Sequence, residues 1–524
     1  MQNIDPIEIF LSVKTIIISN RFYHLSQKAM TDYLFQLPEE KKGTLQTQIQ
    51  EIIVAAILNK QLPAGSPLPS GRKLAEQLKV SRNTVVLAYS NLMDEGFITS
   101  RERSGFYVRD NVLNGYAKTP ASDKEKATTD IDWESRLTTK PQKFSYIKRP
   151  KDWQDYPYPF LYGQYDKKLF PVADWRECCR DAATLSAIYE WASDYIDRDS
   201  PELIKQIHEK LLPRRGIFVE ADEIIVTVGA QHAIYLIANL LLDKDKTIGM
   251  ENPGYADARN TFLTRTDKIQ LIDIDSKGLI IDERISHCDC VYTTPSHQYP
   301  TTITMSKSRR LKLLKAAHEN DFIIIEDDYE SELNYAGTPI PALKSLDKEG
   351  RVIHLGSLSK TLAPGIRLGF IVAPKTVIQQ ARALRRIMLR HPPSNNQYII
   401  GLFLKRGYHD GLVRNMSKVL HKRSQLMHEL LDLYFPGSSS RLNFGGSAYW
   451  IKGLKDLDSE ALAIQAKQLG ILIEPGNTFF GQKNPVKNYF RLGFSSISPA
   501  KIEEAIPLLA NLVYSFPKTG ASNS

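Results

Sequence analysis

The chain has 524 residues, and at about 100–200 residues per domain this length predicts more than one domain. Its apolar content of 42% is ordinary for a folded soluble protein, and its net charge of +9 is spread over so long a chain that it favours an anionic partner only mildly. The four cysteines, Cys178, Cys179, Cys288 and Cys290, show neither a zinc-binding spacing nor a disulfide framework, so we expect a reduced cytoplasmic protein without a metal site.

Residues 1–43 are expected to form an N-terminal extension. The run from Ile4 to Ile18 is apolar, but three charged residues interrupt it. It is too short and too charged to span a membrane. It also lacks the basic start and the small-residue cleavage site of a signal peptide. We therefore expect no membrane partner.

The stretch 44–110 is predicted to be a helical module that ends in a hairpin. Apolar residues recur at helical spacing from Leu45 to Ile57. Ser70 and Ser81 follow breaks in this pattern and are typical N-cap residues, so each is expected to begin a helix. The order helix, helix, turn, helix is that of a helix-turn-helix.

The third helix is expected to run from Arg82 to Asp94, with Arg82, Asn83 and Thr84 at its N-terminus. Recognition helices place such residues against base edges and phosphates. Two short strands follow in the pattern, and Arg101 and Arg103 lie at the tip between them. This hairpin resembles the wing of a DNA-binding domain. The alternative is a helical protein-binding bundle whose arginines are solvated.

Residues 111–150 are polar, mixed in charge and without periodicity, which predicts a linker. From 151 to 518, strands and helices alternate as in an α/β protein with a doubly wound sheet. Aromatic residues crowd the start of this region between Trp153 and Tyr165. Such clusters are more typical of a core or an interface than of a cofactor site.

Two strand ends in this region are candidates for a binding site. Ile224–Val228 reads as a short strand, and Gly229, Ala230 and Gln231 open the next helix, where backbone N–H groups can hold a phosphate. A second apolar strand ends in three carboxylates and a tyrosine at 326–329. A carboxylate there can pair with the pyridine nitrogen of pyridoxal phosphate and make its ring an electron sink. The alternative is a solvated acidic strand end.

Lys360 carries the strongest chemical signal. Ser357 and Ser359 precede it, and Arg367 follows it after a turn at Pro364. The amine can form a Schiff base with an aldehyde, while the hydroxyls and the guanidinium can hold a phosphate. Apolar neighbours argue for burial, which lowers a lysine pKa from about 10.4, as Schiff-base chemistry requires. The alternative is a surface lysine in a serine-rich loop.

These motifs in combination resemble known families. Leu68–Ala75 and Val80–Val85 resemble the signature of a GntR-type winged helix-turn-helix. Residues from about 155 to 515 resemble a fold-type I, aminotransferase class I/II domain. The combination resembles the MocR family of transcriptional regulators, which implies a winged helix-turn-helix joined to an aminotransferase-like domain that binds pyridoxal 5'-phosphate.

The resemblance also implies roles for single residues. The residues that contact DNA are Ser70, Arg72, Ser81, Arg82 and Thr84. Lys360 is the Schiff-base lysine, either Asp327 or Asp328 faces the pyridine nitrogen, and Tyr329 faces the phenolate oxygen. The other cofactor contacts are Tyr255 on the ring and Ala230, Gln231, Ser357, Ser359 and Arg367 at the phosphate. Arg491 is the arginine that clamps the effector's carboxylate, although a lone arginine in an apolar strand can also form a core ion pair.

The stretch 295–302 resembles the family's P-S-H-Q-x-P-T-G loop but departs from it at two positions. Thr302 stands where glycine is expected. Tyr299 stands where enzymes of this superfamily usually have an asparagine that bonds the cofactor's phenolate oxygen, so Tyr299 is a candidate cofactor contact. His297 is either a general base or a structural residue of the loop.

The function implied is a pyridoxal-phosphate-dependent regulator that binds double-stranded DNA as a homodimer on two half-sites. An amino acid or diamino acid is expected to be sensed through an external aldimine that displaces Lys360. The aminotransferase-like domain would then be a sensor with residual transaminase half-reactions. The alternatives are an active aminotransferase that carries a DNA-binding domain, and a DNA-binding protein with an empty second domain.

We also hypothesise that Met30 is the natural start and that residues 1–29 are upstream translation, because the first helix needs only a short lead. Mass spectrometry of the native N-terminus should then find a mature chain beginning at or next to Met30. A peptide from residues 1–29 in the native protein would show this hypothesis to be wrong.

Overall fold

The computed structural model describes residues 35, 37, 43–102, 104–112, 131–164, 166–330, 332–335, 341–439 and 445–516. The chain divides between residues 131 and 132 into two compact units. Met30 and Arg103 lie outside the described residues, so neither expectation about them is addressed by the fold. The described part of the predicted linker from residue 132 onward belongs to the second unit.

The first unit is a winged helix-turn-helix, as predicted. Its elements are α1 (Leu45–Leu58), α2 (Gly71–Leu78), α3 (Arg82–Asp94), β1 (Ile98–Arg101) and β2 (Gly105–Val108). The Ser70 side chain caps α2 by accepting a hydrogen bond from the Lys73 amide, and Ser81 caps α3 in the same way from Thr84. Buried apolar side chains from all three helices meet in one core.

The second unit contains the remaining elements. Its helices are α4 (Trp133–Arg136), α5 (Val172–Ala182), α6 (Leu185–Trp191), α7 (Pro201–Gln206), α8 (Gly229–Leu241), α9 (Ala256–Leu263), α10 (Lys307–Glu319), α11 (Leu343–Leu346), α12 (Lys375–Leu389), α13 (Ser394–Lys405), α14 (Tyr408–Tyr434), α15 (Ser459–Gln468) and α16 (Pro499–Tyr514). Its strands are β3 (Tyr158–Pro159), β4 (Ile224–Thr227), β5 (Ile248–Asn252), β6 (Ile269–Asp275), β7 (Gly278–Leu279), β8 (Cys290–Thr293), β9 (Ile323–Asp328), β10 (Val352–Ser357), β11 (Gly369–Val372), β12 (Ala448–Lys452), β13 (Ile471–Leu472), β14 (Glu474–Pro475) and β15 (Tyr489–Gly493).

The central sheet has the strand order β4-β11-β10-β9-β8-β5-β6-β7. Five neighbouring strands run parallel to one another, namely β10, β9, β8, β5 and β6. Strand β11 pairs antiparallel with β10, and β7 pairs antiparallel with β6. Every residue of β4 and β8 is buried, which accounts for the continuous apolar runs in the sequence. The carboxyl ends of the parallel strands meet at one edge, where α/β proteins place their sites.

A smaller sheet has the order β12-β15-β14. The antiparallel pairing of β14 with β15 places Glu474 directly opposite Arg491. Side chains that face each other in this way are close neighbours, and opposite charges attract. The sheet therefore brings a buried carboxylate to the arginine that the sequence singled out.

No helix among the described residues is long and apolar enough to cross a membrane. The same part of the chain contains no group of three or more His, Cys, Asp or Glu residues arranged to hold a metal ion. All four cysteines are free thiols, and Cys178, Cys288 and Cys290 are buried.

Candidate functional sites

The carboxyl ends of β8, β9 and β10 and the first turn of α8 border a cavity of about 330 Å³ in the second unit. Apart from Asp328, the alternative to Asp327, every residue that the sequence predicted to bind the cofactor lines this cavity. The lining also includes residues that sequence reasoning did not assign to it, namely Ile147, Arg149, Tyr162, Asp257, Tyr292, Thr294 and Pro364. Arg491 is not part of the lining.

Asp327 and Asp328, which the sequence could not separate, have different surroundings. Asp327 lines the cavity, and its Oδ2 accepts a hydrogen bond from the Tyr292 hydroxyl at 2.7 Å. Its Oδ1 is buried and has no hydrogen-bond partner among the described residues. Burial raises the pKa of Asp327 to about 7.

Asp328 is absent from the lining of this cavity and accepts a hydrogen bond from Arg215 Nε at 2.8 Å. Burial acts to raise the pKa of Asp328, but the Arg215 guanidinium outweighs it and holds this pKa well below its usual range. Of the two adjacent carboxylates, Asp327 therefore has the position and the unsatisfied oxygen that a ligand in the cavity can use.

Lys360 follows β10, and its amine lies inside the cavity. The Nζ atom is 4.5 Å from the centre of the Tyr162 ring. Burial lowers the pKa of Lys360 to about 8, which increases the fraction of neutral amine near pH 7. Gly163 has a φ of +73°, and a Cβ at this position would collide with Nζ. Glycine at 163 therefore leaves the space that the lysine amine occupies.

One end of the cavity is suited to an anion. Ala230 and Gln231 lie in the first turn of α8, where backbone N–H groups are unpaired and the helix dipole is positive. The side chains of Ser357, Ser359 and Arg367 border the same cavity. A Cβ at residue 229 would lie 3.0 Å from Arg367 Nη2. The arginine therefore packs closely against the start of the helix, and the two can share one phosphate.

Tyrosines enclose the rest of the cavity. The Tyr299 ring makes edge-on contacts with Tyr255 at 4.8 Å, Tyr162 at 5.5 Å and Tyr329 at 5.7 Å. The Tyr329 hydroxyl donates a hydrogen bond to the His297 carbonyl oxygen at 2.7 Å. Buried Glu251 accepts hydrogen bonds from the Thr293 and Thr294 hydroxyls, each at 2.6 Å. These contacts hold the loop after β8 against the cavity.

The surroundings of Thr302 and His297 show how these two residues of the loop act. Thr302 has a φ of +64°, in the left-handed region that favours glycine, which explains why glycine is expected there. Thr302 and His297 are buried, and neither lines the cavity. Burial lowers the pKa of His297 to about 4, so this histidine is neutral at pH 7. Its surroundings fit a structural residue rather than a general base.

Arg491 makes internal contacts, which match the core ion pair that the sequence left open as the alternative to a carboxylate clamp. Its Nε and Nη2 atoms lie 2.8 Å and 2.7 Å from Oε2 of Glu474. Its Nη2 also donates a hydrogen bond to the Tyr299 hydroxyl at 2.7 Å. Two of the guanidinium nitrogens, Nε and Nη2, therefore have acceptors inside the protein. The pairing of β14 with β15 causes this, and no pattern along the chain reveals it.

Arg149 is the arginine that the sequence analysis missed. Its Nε and Nη2 donate hydrogen bonds to Oε1 of Glu474 at 3.1 Å and 2.9 Å. Unlike Arg491, Arg149 lines the cavity. It lies in the stretch expected to be a linker, and only the packing of Ile147 and Ser145 against the second unit brings it there.

The first unit presents most of the predicted DNA contacts on its surface. Arg72 in the first turn of α2 and Arg82 and Asn83 in the first turn of α3 are exposed, and Thr84 is half-buried. Neither helix has an acidic residue in its first turn, so both present an uncompensated positive end to an anion. In the wing, the Arg101 guanidinium lies 4.4 Å from the Tyr107 ring centre.

The sequence has clear relatives in both units. Residues 162–509 match the family of aminotransferases of class I and II, and residues 45–108 match the gntR family of bacterial regulatory proteins. The HTH-type transcriptional regulator TauR of Rhodobacter capsulatus is 38% identical to this chain and covers 91% of it, with 98% of its own length matched. The probable rhizopine catabolism regulatory protein MocR of Rhizobium meliloti is 29% identical, with 90% of this chain and 94% of that protein matched.

A solved structure supports the fold of the second unit. The kynurenine aminotransferase of Pyrococcus horikoshii, crystallised in complex with PMP, superposes with a TM-score of 0.66 at 27% identity. The match covers 73% of this chain and 98% of that one. The two units thus define a DNA-binding regulator with an aminotransferase-like domain. The chain belongs to the MocR family of transcriptional regulators, and the family resemblance seen in the sequence is confirmed.

The buried pair of Arg215 and Asp328 generates a stability prediction. We expect Arg215→Ala to destabilise the second unit by about 3–5 kcal/mol at pH 7, because it leaves Asp328 buried and charged without its partner. The difference in unfolding free energy between the parent protein and Arg215→Ala should narrow as the pH falls, because protonation of Asp328 removes the unpaired charge. Urea unfolding followed by tryptophan fluorescence measures this, because all five tryptophans of the chain lie in the second unit.

Arg214→Ala is the matched control. Arg214 makes an ion pair with Asp410 at 2.8 Å, but its side chain is 44% exposed, so its loss should cost no more than about 1 kcal/mol. Equal destabilisation by the two substitutions would contradict the importance of the buried pair.

Proposed function

We propose that this regulator binds pyridoxal phosphate in the cavity of its second unit and uses it to sense a metabolite with a primary amine. In this proposal Lys360 binds the aldehyde carbon of the cofactor, and Asp327 pairs with the pyridine nitrogen. Tyr255 packs on the ring, and Tyr329 and Tyr299 lie toward the phenolate oxygen. The phosphate is held at the start of α8 by Ala230, Gln231, Ser357, Ser359 and Arg367.

The observation that carries the proposal is the half-satisfied carboxylate of Asp327. A buried carboxylate oxygen without a partner is costly, by about 1–3 kcal/mol or more. The protonated pyridine nitrogen would supply both the missing hydrogen bond and a compensating charge. Asp327 lines the same cavity as the lysine whose pKa is lowered and the anion-binding end of α8. The unpaired carboxylate oxygen, the lysine with the lowered pKa and the anion-binding start of α8 fit a single ligand that carries a pyridine nitrogen, an aldehyde and a phosphate.

Bound pyridoxal phosphate supplies an aldehyde that exchanges between amines and a ring that withdraws electrons. Lys360 would hold that aldehyde, and the amine of an amino acid or diamino acid would compete with Lys360 for it. Release of Lys360 would then favour a conformation of the protein with a different DNA affinity, since a ligand shifts an equilibrium by its differential binding to two states. The regulator acts in the cytoplasm as a homodimer on two operator half-sites, which suits a two-fold symmetric protein.

An active aminotransferase is the second candidate. Such an enzyme needs an arginine that is available for the substrate's carboxylate, and the family resemblance assigns that task to Arg491. Here Arg491 is bound by Glu474 and Tyr299 and does not line the cavity. This arrangement favours a sensor over complete turnover of amino acids with keto acids.

The absorbance spectrum tests the cofactor site directly. After incubation with pyridoxal phosphate, the parent protein should show a yellow band that candidate amines shift, and Lys360→Ala should lack it. Lys348→Ala, an exposed lysine in the loop before β10, should retain the band. A parent protein that stays colourless would leave the DNA-binding unit as the functional part.

The rate of cofactor attachment should depend on pH through Lys360. Only the neutral amine attacks an aldehyde, so the rate should rise with pH and level off above about 8, the pKa to which burial lowers this lysine. An unperturbed lysine would continue to gain rate up to about pH 10.4. Stopped-flow measurement of the yellow band over this range distinguishes the two, and a rate that is still rising above pH 9 or so would contradict a buried amine.

The DNA-binding surface can be tested without knowing the operator. Binding to double-stranded DNA of random sequence should weaken with salt, and Arg72→Ala and Arg82→Ala should each lower the slope of log K against log salt by about 1. Lys60→Ala provides the control, since this exposed lysine follows α1 outside the helix-turn-helix. Fluorescence anisotropy across a salt series gives the slopes. Unchanged slopes for both arginine variants would refute these contacts.

A further inference from the structure

The second unit contains a second cavity, with a volume of about 340 Å³. Three segments of the chain line it, namely residues 143–145, one side of α9 near residue 260, and the loop that follows β14. Its volume is similar to that of the cavity beside Lys360, and no described residue lines both cavities. A cavity of this size is large enough for a small metabolite.

The charged residues that line the second cavity are all cations. Lys143, Arg259 and Lys483 belong to the lining, and no Asp or Glu of the described residues does. None of the three cations forms a salt bridge within the described part of the chain. Asp257 attracts Arg259, but it lines the cavity beside Lys360 instead. Positive charges that gather without carboxylates between them favour an anion.

Arg259 is the buried member of this group, at 8% exposure. Its Nη1 and Nη2 atoms donate hydrogen bonds to the carbonyl oxygens of Phe479 and Thr478 at 3.3 Å and 2.8 Å. Carbonyl oxygens carry no net charge, so these bonds hold the guanidinium in place without neutralising it, and further N–H groups remain for a ligand. The cavity therefore has a fixed cation, which exposed lysines alone would not provide.

The cavity also offers an acceptor that needs a donor. Asn477 lines the cavity, and its Oδ1 is buried without a hydrogen-bond partner among the described residues. An acceptor in this situation is costly, and a hydroxyl group of a ligand would satisfy it. Phe144 and Phe480 add apolar surface to the lining. These contacts favour an organic molecule over a bare inorganic ion.

We propose that the second cavity binds a small organic dianion that carries a hydroxyl group. Arg259, Lys143 and Lys483 hold its negative charges. Its hydroxyl group donates a hydrogen bond to Oδ1 of Asn477. Phosphate esters and hydroxylated dicarboxylates share this chemistry. The site does not depend on pyridoxal phosphate, so it gives the regulator an input from an anion that has no amine.

The position of the site connects this anion to the stretch that the sequence predicted to be a linker. Lys143 belongs to that stretch, and the carbonyl oxygen of Ser145 accepts a hydrogen bond from Asn260 Nδ2 at 2.8 Å. A ligand that contacts both Lys143 and Lys483 therefore stabilises the packing of residues 143–145 on the second unit.

Isothermal titration calorimetry of the full-length protein tests the proposal with two pairs of probes. The pairs are glycerol 3-phosphate with propyl phosphate, and malate with succinate. The hydroxylated member of the tighter pair should bind better than its partner and better than inorganic phosphate, and that pair identifies the source of the anion. Lys143→Gln and Lys483→Gln should each weaken the tightest probe by about fivefold. Asn477→Ala should abolish the preference for the hydroxylated probe.

Lys148→Gln is the matched control, because it removes the same charge from an exposed residue outside the lining. No binding to the parent protein would overturn the proposal, and so would an equal loss of affinity in Lys148→Gln. Equal affinities within both pairs would overturn the requirement for a hydroxyl group. A probe that an equimolar amount of pyridoxal phosphate displaces, and that Lys143→Gln and Lys483→Gln bind as the parent does, would place the anion in the cavity beside Lys360 and overturn the second site.

Discussion

The parallel pairing of β9 with β10 is the constraint on which the cavity depends. It aligns Asp327 with Leu355 and Asp328 with Gly356, so the acidic end of one strand lies beside the segment that leads into Lys360. Successive side chains of a strand point to opposite faces of the sheet. One carboxylate therefore enters the cavity, and the next turns away to meet Arg215. A shift of one residue in this pairing would exchange their roles.

Burial then gives these groups their chemical character. The same loss of solvent lowers the pKa of Lys360 to about 8 and raises the pKa of Asp327 to about 7. Burying the charged forms of an amine and a carboxylate is costly for folding, and these two groups are what a cofactor with an aldehyde and a pyridine nitrogen would use. Gly163 contributes by leaving room for the amine. The buried groups that a ligand would use therefore lower the stability of the protein without a ligand.

Arg149 and Arg491 share the carboxylate of Glu474, but only Arg149 lines the cavity. Arg491 is hydrogen-bonded to Tyr299 and paired with Glu474. Replacement of the expected asparagine by Tyr299 supplies the hydroxyl that accepts from this arginine. The tyrosine at position 299, where asparagine is expected, therefore helps to hold the Arg491 guanidinium inside the protein. Arg149 still lines the cavity.

The sequence by itself determined the elements and the chemistry that lies along short stretches. Helical spacing and N-cap serines predicted α1 to α3, apolar runs predicted β4, β9 and β10, and the neighbours of Lys360 indicated a phosphorylated aldehyde, because each of these signals is local. Only the tertiary structure decided which of Asp327 and Asp328 enters the cavity, that Glu474 meets Arg491, and that Arg149 joins the wall. Those outcomes depend on strand register and on the packing of residues far apart in the chain, and no spacing along the sequence records them.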